Sequence, residues 1–138
     1  MIREHFEAVR ALVDDVGVAV YDTDAGPSPT PPYVVIWGGD FRPYGVSVCD
    51  SLSEVAGTVG VTCTAATAAA ARSLQSTVQA RLTGASVTVD GRHAFPLVLE
   101  DVRPVQVDRE VKVPDSLGGA SFLFYGVLIF RLESTEDT

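Results

Sequence analysis

An α+β domain is what this sequence predicts: one antiparallel or mixed β-sheet with two α-helices packed on one face. Three observations carry that reading. Residues 59–91, VGVTCTAATAAAARSLQSTVQARLTGASVTVDG, switch from a strand period to a helix period midway. Residues 2–16 form an amphipathic stripe, with Ile2, Phe6, Val9, Leu12 or Val13, and Val16 opposing Arg3, Glu4, Glu7, Arg10 and Asp14. Residues 121–132 form a closing strand that is apolar on both faces. With 138 residues and 46% hydrophobic content, the chain suits a single folded domain with one sizeable core.

In chain order, the first helix spans 2–16 and stops at Gly17, before a short strand at 18–21. Residues 22–32, DTDAGPSPTPP, carry four prolines and make a stiff exposed connector of polyproline character. The run 33–37, YVVIW, is a strand, and 38–44 form a turn or hairpin tip carrying Phe41, Arg42 and Tyr44. A strand at 45–50 and a loop at 51–57, with a short helical turn, lead into the central unit, 57–90. There Val59, Val61 and Cys63 alternate with Gly60, Thr62 and Thr64, so one strand face is apolar.

Thr64 is placed to cap a helix running from 65 to 82. Ala71, Leu74, Val78 and Leu82 line its core face, and Arg72, Gln75, Ser76 and Gln79 the opposite one. Gly84 sits at the left-handed cap position. A strand at 85–89 then meets Asp90-Gly91, the strongest short hairpin signal in the chain. Residues 92–100 return as a strand that Pro96 interrupts. Residues 102–113 are extended, partly exposed and include a loop, and 114–120 form a turn. In the closing strand Phe122, Phe124, Leu128 and Phe130 fall on one face and Leu123, Tyr125, Val127 and Ile129 on the other. Residues 133–138 are a frayed acidic tail.

Composition excludes several function classes. The net charge is −8, Lys112 is the one lysine, and no basic cluster is present, so binding nucleic-acid phosphates is not the main task. The N-terminal MIREHFEAVR lacks the apolar core of a signal peptide, and no segment has the length and apolarity of a membrane span. Cys49 and Cys63 read as buried thiols. His5, His93, the two cysteines and the carboxylates show no metal-ligand spacing, and Asp22 with Asp24 reads as solvated loop charge. No nucleophile elbow surrounds any serine, and Cys63 lies mid-strand on the apolar side, where thiols are inert. Glu100 and Asp101 point to opposite faces of an extended segment. The pairs Gly38-Gly39 and Gly118-Gly119 lack phosphate-loop spacing. No catalytic, cofactor-binding or metal residue emerges. Two helices blanket one side of the sheet, so the second apolar face of the closing strand needs a neighbouring subunit or a wrapping loop.

The order and spacing of these elements carry a resemblance. A helix at 2–16 precedes Val20-Tyr21-Asp22; a loop leads to Pro32-Tyr33-Val34-Val35-Ile36. The strand 59–64 runs into a helix bearing Leu74, Val78 and Leu82; a hairpin, Pro96-Leu97, Asp108 and the closing strand 125–132 follow. Over nearly its whole length the chain resembles the tail terminators, or minor tail proteins, of long-tailed bacteriophages. The resemblance implies a small α+β fold and a homo-hexameric ring on the head-proximal end of the finished tail tube, assembled in the host cytoplasm. Such a ring stops tube polymerisation and offers a joining surface to the head connector, while DNA passes through without being read. It implies no enzyme activity and no cofactor. The residues expected to meet a neighbouring subunit or the tube are Phe41, Arg42 and Tyr44 at the tip, and Tyr125, Val127 and Ile129 on the unshielded strand face.

Three readings stay open at this level. One is a ring protein, either terminator or another head–tail joining or tail completion protein. Another is a small-molecule-binding or enzymatic domain with its pocket under the proline-rich loop. The last is an adaptor that binds a partner through GPSPTPP.

Overall fold

A computed structural model describes residues 2–26, 29–44, 54–114 and 120–136. The strand expected at 45–50 and residues 115–119 of the turn expected at 114–120 lie outside these residues, as do parts of the 51–57 loop and of the proline-rich loop.

Helix α1 (Ile2–Val13) is followed by one 3-10 turn (Asp14–Val16), which ends at Gly17 with φ +93°. That left-handed conformation is one only glycine adopts without cost, so the stop falls where the sequence placed it. The buried stripe of α1 is His5, Phe6, Val9 and Val13. Ile2, expected on that stripe, is 55% exposed, and His5 takes its share of the core. Strands β1 (Ala19–Asp22) and β2 (Tyr33–Gly38) pair in parallel, whereas all other pairings are antiparallel, so the sheet is mixed.

β4 (Glu54–Ala65) forms the middle of the sheet. One of its edges takes β2 and then the short β3 (Arg42–Tyr44); the other takes β7 (Ala120–Glu136). The far edge of β7 takes β6 (Val98–Pro114) and then β5 (Arg92–Ala94). The strand order is therefore β1, then β2 with β3, β4, β7, then β6 with β5.

Both helices lie on one face, as expected. Phe6, Val9 and Val13 of α1 and Leu74, Val78 and Leu82 of α2 (Ala68–Leu82) pack on Val34, Ile36, Val59, Val61, Cys63, Leu128, Phe130 and Leu132. Each such side chain, fully removed from water, contributes roughly 1.5–3 kcal/mol. No described helix is long and apolar enough to cross a membrane.

Several local expectations are corrected. The helix cap is Thr67, whose hydroxyl accepts from the Ala70 N–H at 3.1 Å; Thr64 is still in the strand, paired with Tyr33 and Tyr125. Sheet pairing on both edges carries β4 to Thr64, and pairing with β7 carries it on to Ala65, overriding the helix propensity of the alanine run. The same pairing begins at Glu54, so the end of the expected 51–57 loop is strand. Residues 85–88 are not a strand: Val89 makes one isolated bridge to Arg92 across the Asp90-Gly91 turn, and Ala85 instead serves the Leu97 backbone. Pro96 does split its strand, leaving β5 and β6 with a gap at 95–97.

β6 is one long strand with register shifts between Leu99 and Asp101, Arg103 and Gln106, and Asp108 and Lys112. Its imperfect alternation, which reads as an extended stretch with a loop in it, is the signature of these bulges. The supposed tail is sheet as far as Glu136, and Ser134 is buried within it.

Gln75 is likewise not solvent-facing. Its amide donates to the backbone oxygens of Arg103 at 2.8 Å and Val127 at 3.2 Å. The helix sits low enough here that a Cβ on Gly126 would lie 2.8 Å from the Gln75 amide nitrogen.

Candidate interaction face

The face of the sheet away from the helices is where the alternation of each strand sends its second set of side chains. From β2 come Tyr33, Val35 and Trp37, opposite Thr64, Thr62 and Gly60 of β4. Those in turn pair with Tyr125, Val127 and Ile129 of β7. Glycine at position 60 leaves room for a ring: a side chain there would fall inside the Trp37 indole. The indole thus lies over the strand, and its N–H donates to the Thr62 hydroxyl at 2.9 Å. Tyr21 meets Tyr33 edge-on with ring centroids 5.9 Å apart. Burial pushes the Tyr33 phenol above its usual range and the nearby Asp108 charge adds to the rise, while a hydrogen bond with Thr64 opposes it.

These groups form the floor of a groove of about 710 Å³, open to solvent, walled by Thr23 and Ala25 on one side and by Val107, Asp108 and Arg109 of β6 on the other. The Asp22–Asp24 loop beside it is tied up internally: the Thr23 hydroxyl donates to Asp22, the Gly26 N–H donates to Asp24, and Arg10 lies 3.9 Å from Asp22. Among the described residues no three His, Cys, Asp or Glu side chains come together as a metal cluster.

At the other end of the same face Phe95 and Val98 are 45% and 57% exposed. They flank Leu97, which is buried and fixed by backbone bonds: its N–H donates to Ala85 and its carbonyl accepts from Gly84, each at 2.9 Å. Arg131 and Glu133, an ion pair at 2.7 Å, lie beside this knob.

The expected interface residues divide. Tyr125 and Ile129 are half-buried and Val127 is nearly buried on the face without helices, as the double alternation of the strand required. Arg42 is exposed on edge strand β3, lining a small hollow with Asp40, Thr58 and Arg131. Phe41 is a core residue, 3% exposed, stacked on His5 at 5.0 Å. Its backbone comes so close to β4 that a Cβ on Gly57 would sit 2.7 Å from the Phe41 Cα. In this arrangement Phe41 supports the tip from beneath and has almost no surface to offer. Tyr44 pairs with Glu54 through the backbone, and its side chain lies outside the described residues.

Sequence reasoning missed Tyr33, Trp37, Phe95 and Val98. The signal for the first two was present, because YVVIW is apolar at both odd and even positions.

Among the described residues His5 Nε2 and Ser134 Oγ make a nucleophile–base contact at 2.7 Å, with the Arg92 Nε–H donating to the same hydroxyl at 2.8 Å. His5 is fully buried and Ser134 is 1% exposed, so this cluster joins α1, β5 and β7 in a place closed to substrates. Cys63 is equally enclosed, and burial pushes its thiol up to about 12.

No family model matches the chain, and no curated protein matches it. Among solved structures it is similar to a chain in the virion of a native gene transfer agent particle, with a TM-score of 0.56 and 17% identity, over 97% of this chain and 91% of that one. At that identity the likeness is one of fold, and it runs almost end to end: this chain shares its architecture with a protein found in a virion.

Proposed function

We propose that the chain is a structural virion protein that caps the head-proximal end of a phage tail tube as a ring, most simply a hexamer. The ring ends tube growth and gives the head connector its joining surface. The observation that carries this reading is the fold likeness to a virion chain across nearly all of both proteins. A sheet face that the chain's own helices do not cover, with Val35, Trp37, Tyr125 and Ile129 half-buried on it, supports assembly, since such faces commonly serve as contacts between proteins. The net charge of −8 suits a channel through which DNA slides without being held. No catalytic step is assigned to it.

The test is to add the purified protein to growing tail tubes, image the tubes and measure their lengths. A density at one end and an arrest of elongation is the expected result. Tubes that lengthen unchanged, without a terminal cap, refute terminator function; protein found at the head side of completed particles without arrest points to another head–tail joining protein. The groove beside Thr23 and Ala25 favours small-molecule binding as a second reading. Against it, the Trp37 N–H is already engaged by Thr62 and Tyr33 by Thr64, so a ligand would have to be oriented by Thr23, Asp108 and Arg109 on the walls.

A further inference from the structure

We propose that the groove over Tyr33, Trp37 and Tyr125 is a carbohydrate site whose ligand is a neutral, unbranched oligosaccharide. The inference goes beyond the tail-capping role, and either holds without the other. Its first support is the floor. The Trp37 indole lies over Gly60 with one face against the strand, so its other face is turned to the groove. The bond from its N–H to Thr62 fixes that orientation before any ligand arrives. The face of an aromatic ring is negative, and it attracts the weakly positive C–H groups on the flat side of a sugar ring.

The polar part of the lining supplies the other half of a sugar's chemistry. Threonine and tyrosine hydroxyls stand among the rings, with Asp108 and Arg109 on the wall. A hydroxyl that accepts one bond, as Thr62 does from the indole, still has a proton to donate and a lone pair. The Tyr33–Thr64 pair, joined by one bond, has one proton left over. A sugar has the matching profile: a flat apolar face rimmed by groups that both donate and accept. The carboxylate and the guanidinium then orient the ring, since hydrogen bonds to charged groups are the stronger ones.

Other ligand classes fit less well. An anion would meet one guanidinium beside one carboxylate, on a chain of net charge −8. A wholly apolar ligand would bury hydroxyls and a carboxylate without partners. A peptide that adds a strand needs an open edge, whereas β4 in the floor is paired with β2 on one side and β7 on the other. Length favours an oligosaccharide over a single sugar. Tyr33 and Trp37 are four residues apart along β2, about 13 Å at the rise of a strand, which is longer than one sugar ring. Val127 and Ile129 lie outside the groove lining and stay available for contact between copies.

The test is titration of the full chain with maltohexaose, cellohexaose and chitohexaose, beside glucose and N-acetylglucosamine. Binding is read by calorimetry and by the emission of Trp37, the chain's one tryptophan. The expected result is saturable binding of at least one hexasaccharide with a change in emission, and affinity about tenfold or more weaker for the single sugars. Trp37→Leu and Asp108→Asn, each with native circular dichroism, weaken calorimetric binding by about tenfold. Arg42→Ala, on edge strand β3 and outside the groove, binds like the wild type. Should Trp37→Leu lose its native fold, Tyr125→Phe takes its place, because it removes one hydroxyl from the lining and keeps the ring.

No response to any hexasaccharide overturns the inference, and so does binding that Trp37→Leu and Asp108→Asn leave intact. A response to a proline-rich peptide, with none to the sugars, also overturns it and assigns the aromatic floor to polyproline recognition. Capping is scored separately by tube length. Protein that binds the sugars and leaves tube growth unchanged upholds the site and defeats the cap; arrest of tubes without sugar binding does the reverse.

Discussion

Replacing Gln75 tests the packing of α2 on the sheet most directly. β6 shifts register between Arg103 and Gln106 against β7, and Pro104 within that step has no N–H to give. Gln75 reaches down from the helix and donates to the carbonyls of Arg103 and Val127 beside this irregularity. Gln75→Leu keeps the volume and removes both hydrogen bonds. A buried acceptor left unpaired costs about 1–3 kcal/mol. The Val127 carbonyl bears most of that cost, because its bond is buried, while the Arg103 oxygen, in a part-buried bond, can recover water. Leucine returns part of the loss through apolar burial, at about 0.8 kcal/mol per buried methylene. The net expectation is a loss of about 2 kcal/mol. For a chain of this size that lowers Tm by roughly 6–10 °C.

Urea and thermal unfolding of Gln75→Leu beside Gln79→Leu, one turn further along the helix and half-buried, give the comparison. Gln75→Glu adds a sign. A carboxylate facing two carbonyl oxygens favours its protonated form, so its folded pKa rises. The deficit is then largest at neutral pH and shrinks as pH falls toward the ordinary glutamate value of about 4.3. Equal stability of Gln75→Leu and Gln79→Leu, within about 0.5 kcal/mol of the wild type, refutes the reasoning.

Further expectations concern single side chains. Gly60→Ala displaces the indole of Trp37, the chain's one tryptophan, so its emission shifts to the red and loses the Thr62 environment. Stability falls by only about 1 kcal/mol or less, since overpacking at a half-exposed ring is relieved outward and alanine restricts the unfolded chain. An unshifted spectrum contradicts the close approach. Cys63 resists alkylation in the native protein at mildly alkaline pH and reacts on unfolding, read by peptide mass spectrometry. Because its folded pKa is raised to about 12, the unfolded state loses its proton first, and Cys63 lowers stability as pH climbs above roughly 8.5. Asp40 accepts from the Thr58 backbone N–H at 2.8 Å and the Thr58 hydroxyl at 3.1 Å, and the backbone bond chiefly holds its carboxyl below the usual range. Its stabilisation is present above about pH 3.9 and fades as pH falls through the lowered folded value; Asp40→Asn, at an exposed site, costs under about 1 kcal/mol in urea unfolding at pH 7.

Local period alone was enough to place α1, β2, β4, α2 and β7, because each packs one apolar face on a common core and the pattern of that face is written in adjacent residues. The same logic put Tyr125, Val127 and Ile129 on a face that the helices do not cover. The places where it failed share one cause. Thr64 carries a capping residue's chemistry, yet paired strands on both sides hold it extended and give the cap to Thr67. Gln75 has a polar side chain in a helical pattern, and only the bulge beneath it creates the carbonyls that draw it inward. Phe41 lies in a stretch that reads as an exposed tip, yet it stacks on His5 across 36 residues of sequence.

The sequence by itself determined the class of fold, the two helices on one face and the apolar second side of the closing strand. Only the tertiary structure decided that residues from β2, β4, β6, β7 and the loop after β1 gather into one groove, and that Phe95 and Val98 stand out as a knob at the far end. Hydrophobic period records which way a side chain points within its own element. What it meets is set by register between strands far apart in the chain, where bulges, proline and the absence of a Cβ at Gly57, Gly60 and Gly126 adjust the fit.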